Sequence, residues 1–233
     1  MSGVQFAPGL RLDPVAKGSP EALVALLHDV GESAAALTPF AARWATAVPT
    51  TAFIALDGIE QLDLPSRGLL GPTTPDHEVA TGSTVLDRAA RHLVPQLEQQ
   101  LRFYRLDASR LVLVGFGYGG TLALRMLLRQ GWSCAGVLAF AAKLMRRLAR
   151  IPSGDHKVRL IECLGIDHAG DSGLRDAVAG LTARGIDARG VVLAGSPMSD
   201  EAIRYGGAYL VELVATAQRG KRFHANRESN HAQ

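Results

Sequence analysis

The stretch Leu111-Val-Leu-Val-Gly115-Phe-Gly117-Tyr118-Gly119-Gly120-Thr121 sets four glycines at the point where an apolar run gives way to a helical pattern. Where a serine attacks a carbonyl, such a turn reads G-x-S-x-G, and the hydroxyl stands at the centre of a sharp bend. Here the centre is Gly117, which has neither hydroxyl nor thiol, so this position holds no attacking atom. The flanks agree with such a turn. Arg110 to Phe116 suits a parallel strand buried on both faces. Leu122, Ala123, Met126 and Leu127 recur at helical spacing, with Gly131 as a stop. Strand, tight turn and helix is the order that a nucleophile elbow requires.

The same letters fit a second chemistry. Gly115-x-Gly117-x-x-Gly120 matches the fingerprint that brings a dinucleotide pyrophosphate to a helix N-terminus. That motif expects an acidic residue about twenty positions later for the ribose hydroxyls. The next strand-like run, Ala135-Gly-Val-Leu-Ala-Phe140, ends instead in Ala141-Ala-Lys143. The fingerprint also normally follows the first strand of its sheet, whereas strand-like runs precede this one. A glycine-rich structural turn without catalytic ancestry is the third reading.

Other polar residues offer less. His28 closes the first buried run and faces the expected cleft, either as a ligand-binding or catalytic group or as a hydrogen-bonding support for the next loop. His168 follows Asp167 in a loop and is a candidate acid or base, against a plain loop histidine. His77, His92, His156, His224 and His231 are dispersed without H-x-x-x-H spacing, so no metal site is expected. Cys134 and Cys163 lie in or beside apolar runs and read as free thiols, without a C-x-x-C partner.

The elements that must position these residues alternate along the chain. Strands are expected at 22–28, 51–56, 110–116, 135–140, 158–164 and 188–193. Helices are expected at 33–48, 84–104, 121–129, 173–184 and 200–217, with a long loop over 57–82. Such alternation predicts an α/β fold, doubly wound around a mostly parallel sheet. Ligands in that architecture bind beyond the carboxyl ends of the strands, where the glycine turn lies. With 233 residues, 47% of them hydrophobic, residues 1–218 are expected to form one domain, and 219–233 a fraying tail. A net charge of +3 with scattered basic residues argues against nucleic acid, and the Arg146-Arg147 and Arg150 group reads as helix-end charge. No apolar run nears the roughly 20 residues of a membrane span, and the N-terminus lacks signal-peptide features. The expectation is a soluble, cytoplasmic protein.

On these residues the chain resembles the α/β-hydrolase family, in its small carboxylesterase, phospholipase and acyl-protein thioesterase branch. Residues 110–124 are similar to that branch's strand, G-F-S-Q-G-G elbow and helix, with Gly117 for the serine and Tyr118 for the glutamine. Leu26-Leu-His28-Asp-Val-Gly31 is similar to its L-L-H-G-x-G oxyanion loop, and Ala135 to Phe140 to its A-G-V-L-x-x-S segment. Ala194-Gly-Ser196-Pro-Met-Ser199-Asp-Glu-Ala-Ile203 is similar to G-x-G-H-x-I-S-x-E-x-I. The resemblance implies a triad of nucleophile, imidazole and carboxylate. In this chain it maps the nucleophile to Gly117, the histidine to Ser196, and the acid to Asp167 or His168.

The resemblance therefore implies the scaffold of an ester hydrolase whose triad is degenerate. The expected function is binding of a small apolar or acyl-bearing ligand, or of a protein partner, in a pocket beside His28, Val30, Gly117, Tyr118, His168 and Ser196. The alternatives are altered chemistry in the same cleft, by proton transfer, elimination or atypical hydrolysis, and dinucleotide binding. No cofactor, metal or nucleic acid is expected. A homodimer is implied only by its frequency in the resembling branch.

Overall fold

A computed structural model describes residues 7–57, 76–130, 132–142, 156–164 and 173–229. Among them, seven strands form one sheet in the order β1-β3-β2-β4-β5-β6-β7: β1 Ala7–Leu12, β2 Ala22–Leu27, β3 Thr51–Asp57, β4 Leu111–Phe116, β5 Gly136–Phe140, β6 Lys157–Leu164 and β7 Asp187–Ala194. All neighbours run parallel except β1, which pairs antiparallel with β3. The helices are α1 Thr38–Ala45, α2 Asp76–Tyr104, α3 Tyr118–Gln130, α4 Leu174–Thr182 and α5 Asp200–Ser229. The doubly wound, mostly parallel sheet is thus the fold.

Strand periodicity of two divides the interior between the faces of the sheet. In β2, Leu23, Ala25 and Leu27 face one core with Leu86, Leu93 and Leu97 of α2, residues of α3, and Leu174 and Leu181 of α4. Ala22, Val24 and Leu26 face the other, with Phe40 and Trp44 of α1 and Leu210, Leu213 and Val214 of α5. Every residue of β2, β4 and β5 is buried, which is why these strands read as continuous apolar runs.

Several boundaries differ from those expected. The helix expected at 33–48 is a 3-10 turn, Ala34–Leu37, followed by α1, because Pro39 near the start of α1 lacks the N–H that a continuous helix needs there. Ser33 precedes this turn without a side-chain cap. α2 starts at Asp76 rather than Thr84. The intervening Thr81 and Gly82 are poor helix formers, but extending an existing helix adds one hydrogen bond per residue fixed. α5 continues past Ala217 to Ser229, through charged residues of good helix propensity but no apolar stripe. The antiparallel β1 escapes sequence reading because Pro8 and Gly9 interrupt it, and its register shifts between Pro8 and Leu10.

Away from the carboxyl ends of the strands, β6 carries a fully buried arginine. Arg159 donates to Glu212 through Nε and Nη2, and to the carboxylate and carbonyl of Asp187. Hydrogen bonding to this guanidinium holds both Asp187 and Glu212 below the ordinary carboxylate range, against the opposing effect of burial. Depressed carboxyls stabilise the fold above their ordinary pKa, and that contribution disappears as pH falls through their folded values. Arg159→Met should therefore destabilise the protein by about 3 kcal/mol near neutral pH. The difference from wild type should shrink as pH drops from about 5 to about 2, read from urea unfolding midpoints. A difference independent of pH would assign the loss to packing alone.

Candidate active site

Parallel strands β2, β4 and β5 are sheet neighbours, so their carboxyl ends meet on one side. The turn from β4 into α3 lies there. Gly117 adopts φ +51°, in the left-handed region that glycine enters without penalty. Its N–H donates to the Phe140 carbonyl at 2.8 Å, and its own carbonyl accepts from the Thr121 N–H at 3.0 Å. Two residues on, Gly119 lets α3 press against the end of β2, since a Cβ there would run into the carbonyls of Leu27 and His28. The strand, strained turn and helix of a nucleophile elbow are all in place around a glycine.

What stands over that glycine comes from the loop after β2. The Oδ1 of Asp29 accepts from the Val30 N–H at 2.8 Å and from the Tyr118 N–H at 2.8 Å. One donor follows the elbow centre and the other belongs to the neighbouring loop, the pair that an oxyanion hole uses to hold the charged oxygen of an acyl-transfer intermediate. Here the oxygen is the chain's own. A Cβ added to Gly117 would land on the same carboxylate, against Cγ and both oxygens. Asp29 thus occupies the oxyanion site and also the space that an elbow side chain would need.

The neighbours brace this arrangement. His28 is completely buried, and its Nδ1–H donates to the Asp29 carbonyl at 2.7 Å. Its Nε2 lies 3.8 Å from Oδ1 of Asp57, the oxygen that accepts the Ala34 N–H. The phenol of Tyr118 is pushed up by burial and then by the negative charge of Asp29, which keeps it protonated. Ala141, just beyond β5, is also left-handed at φ +47°; backbone strain of this kind concentrates at functional sites.

Of the residues expected to share a pocket, the structure brings together Val30, Gly117 and Tyr118. His28 has no exposed surface and supports the loop from behind, the second of the two roles expected for it. Ser196 lies exposed in the turn after β7, where its Oγ accepts from the Met198 N–H at 3.1 Å. Ser199 caps α5 by accepting from the Ala202 N–H at 3.2 Å. Asp167 and His168 fall outside the described residues, as do Arg146, Arg147 and Arg150. Dinucleotide binding loses its support, because a pyrophosphate at the start of α3 would meet the Asp29 carboxylate already seated there. Cys134 is buried and its thiol is pushed up to about 12, while Cys163 is half-buried and raised to about 11, both chiefly by desolvation. Among the described residues, no three metal-ligating side chains converge and no helix is long and apolar enough to cross a membrane.

Asp29 is the candidate site residue that sequence reasoning missed. Its signal is in the oxyanion loop, where H-D-V-G replaces H-G-x-G, at the same time as glycine replaces serine in the elbow.

Residues 15–164 match the family model described as Phospholipase/Carboxylesterase. The chain belongs to that family. Its fold is shared with esterase PE8, at 25% identity and TM-score 0.72, over 90% of this chain and 100% of that one. A phospholipase/carboxylesterase from Dyadobacter fermentans DSM 18053 aligns at 20% identity and TM-score 0.62, over 89% and 97% of the two chains. The Bacillus cereus carboxylesterase aligns at 12% identity and TM-score 0.63, over 88% and 93%. No curated protein matches the sequence.

For this phospholipase/carboxylesterase family member, steric overlap makes positions 29 and 117 energetically coupled. Gly117→Ala should cost about 2–4 kcal/mol, from positive φ and from displacing the carboxylate off its two donors. In an Asp29→Gly background the same change should cost about 1–2 kcal/mol. A denaturant-unfolding double-mutant cycle measures the difference. Additive costs would mean that the carboxylate does not sit over Gly117.

Proposed function

We propose that this protein has left Ser-His-Asp ester hydrolysis and uses the hydrolase scaffold to bind a small, largely apolar ligand. The observation that carries this reading is the Asp29 Oδ1 seated on both oxyanion donors. A triad enzyme needs that site vacant for the developing charge on its substrate, and removing one such donor already costs about 10²–10³ in rate. Gly117 supplies no nucleophile, and Ser196 stands at the position that the family pattern gives to the histidine. Loss of nucleophile, base and open oxyanion site removes every source of triad catalysis together.

The same geometry narrows the ligand. An acyl group enters such a cleft by placing its carbonyl oxygen on the two N–H groups, and that oxygen would approach a carboxylate instead. An apolar group beside Val30 and Tyr118 meets no such opposition. Proton-transfer chemistry by His28 has no support from its burial.

The test is hydrolysis of p-nitrophenyl acyl esters across chain lengths. Wild type should show no saturable turnover above the buffer rate. Saturable turnover that disappears on changing Tyr118 or Val30 would overturn the reading. Gly117→Ser with Ser196→His should remain silent while Asp29 is present. Adding Asp29→Gly should be the step at which acylation of the hydroxyl introduced at position 117 first appears, detected by mass spectrometry.

A further inference from the structure

We propose that the outer face of α5 is the interface of a homodimer, in which the α5 of a second copy lies antiparallel across it with Val211 on the two-fold axis. That face forms one wall of an open groove between α1 and α5. The groove has a volume of about 390 Å³ and is lined by Trp44, Ala47, Ile203, Gly207, Ala208 and Val211. Val211 leaves 42% of its surface to solvent, and among the described residues nothing covers it. The floor is fixed. The Trp44 Nε1–H donates to the Ile203 carbonyl at 2.8 Å, and the ring stacks on Phe140. α5 comes so close because positions 206 and 207 are glycine, where a Cβ would press on these two rings. A hollow of this kind between two helices receives the side-chain ridge of a third.

The residues along α5 select the occupant. Eleven residues make about three helical turns, so Asp200, Val211 and Arg222 follow one line along the helix. Arg204 and Gln218 lie seven positions to either side of Val211, and Gly207 and Ala215 lie four, all at the spacing of one face. Turning a second copy about Val211 therefore sets Asp200 against Arg222 at both ends, Arg204 against Gln218, and Gly207 against Ala215. A two-fold interface demands such self-complementarity, because every pairing in it occurs twice. A parallel pairing would instead put acid on acid and base on base, and an unrelated partner would need no symmetry about Val211. The small residues beside the centre permit close approach at a crossing angle of about 20°, which keeps the charged ends near one another. The length of α5 agrees with this arrangement. Its last core residue is Ala217, yet the helix continues to Ser229. A helical end without packing is marginal in water, and in the dimer residues 218–222 lie against the start of the second copy's α5. Exposed ion pairs add little affinity; they set the register, while the apolar centre supplies the binding. The interface uses no residue of the candidate active site and is independent of the function proposed above.

The experiment is sedimentation velocity of the full chain over a wide range of concentration. Wild type should form a dimer that dissociates on dilution. Val211→Arg, which sets like charges on the axis, should weaken the dimer at least about tenfold. Asp200→Lys and Arg222→Glu should each weaken self-association, because like charges then face each other at both ends. An equimolar mixture of these two variants should associate more tightly than either alone, since the mixed dimer has opposite charges at both ends. Asp200 also pairs with Arg43 within the chain, and losing that pair could weaken Asp200→Lys but could not produce the rescue. Circular dichroism checks that the variants fold, and the wild-type result stands without them. A wild type that is monomeric at every concentration would overturn the second copy as occupant and leave the groove to a different partner. A dimer that withstands Val211→Arg would place the interface elsewhere, and a mixture no tighter than its separate variants would overturn the antiparallel arrangement.

Discussion

How closely the first turn of α3 approaches the end of β2 determines what the strand ends can do. With no side chain at Gly119, the helix start lies against the carbonyls of Leu27 and His28, and this proximity brings the Tyr118 and Val30 N–H groups onto a single oxygen. Two convergent backbone donors, one of them at a helix N-terminus, are strongly anion-seeking. Left empty and away from water they would be costly, and a carboxylate from the adjoining loop satisfies both at normal hydrogen-bond length. The negative charge of that carboxylate adds to burial in raising the Tyr118 phenol, and the His28 Nδ1–H holds the backbone carbonyl of the same aspartate.

A fully buried charge lies elsewhere, at the β6–β7–α5 edge. Arg159 is enclosed by protein, yet its guanidinium finds acceptors on Asp187, Glu212 and the backbone. Such a cluster adds little net stability over a well-packed apolar alternative, but removing one member strands the others. It ties the edge strand β7 to α5 through directional bonds where the sheet has only one neighbour to offer. Arg159 thus persists as a buried ion because the backbone and its partners complete its hydrogen bonding.

Much of the fold is legible in the sequence because β2, β4 and β5 are buried on both faces and write themselves as unbroken apolar runs. What escapes is whatever depends on partners distant in sequence. β1 is stabilised by pairing with β3 and has no apolar pattern of its own, and Pro39 divides the helix expected from 33 to 48. At the site, the absence of a nucleophile at Gly117 can be read directly, since it needs only a residue type. The role of Asp29 cannot, because its meaning lies in a contact with a position 88 residues later, between Asp29 and Gly117. Two departures from the family pattern, each ordinary alone, become one feature only when the strand ends are brought together.

That contact also sets a condition on substitution. A side chain at position 117 and the Asp29 carboxylate claim the same volume, so any residue larger than glycine there must move the carboxylate off the Val30 and Tyr118 N–H groups. The two positions therefore change most easily together: the elbow accepts a side chain most readily where residue 29 has none.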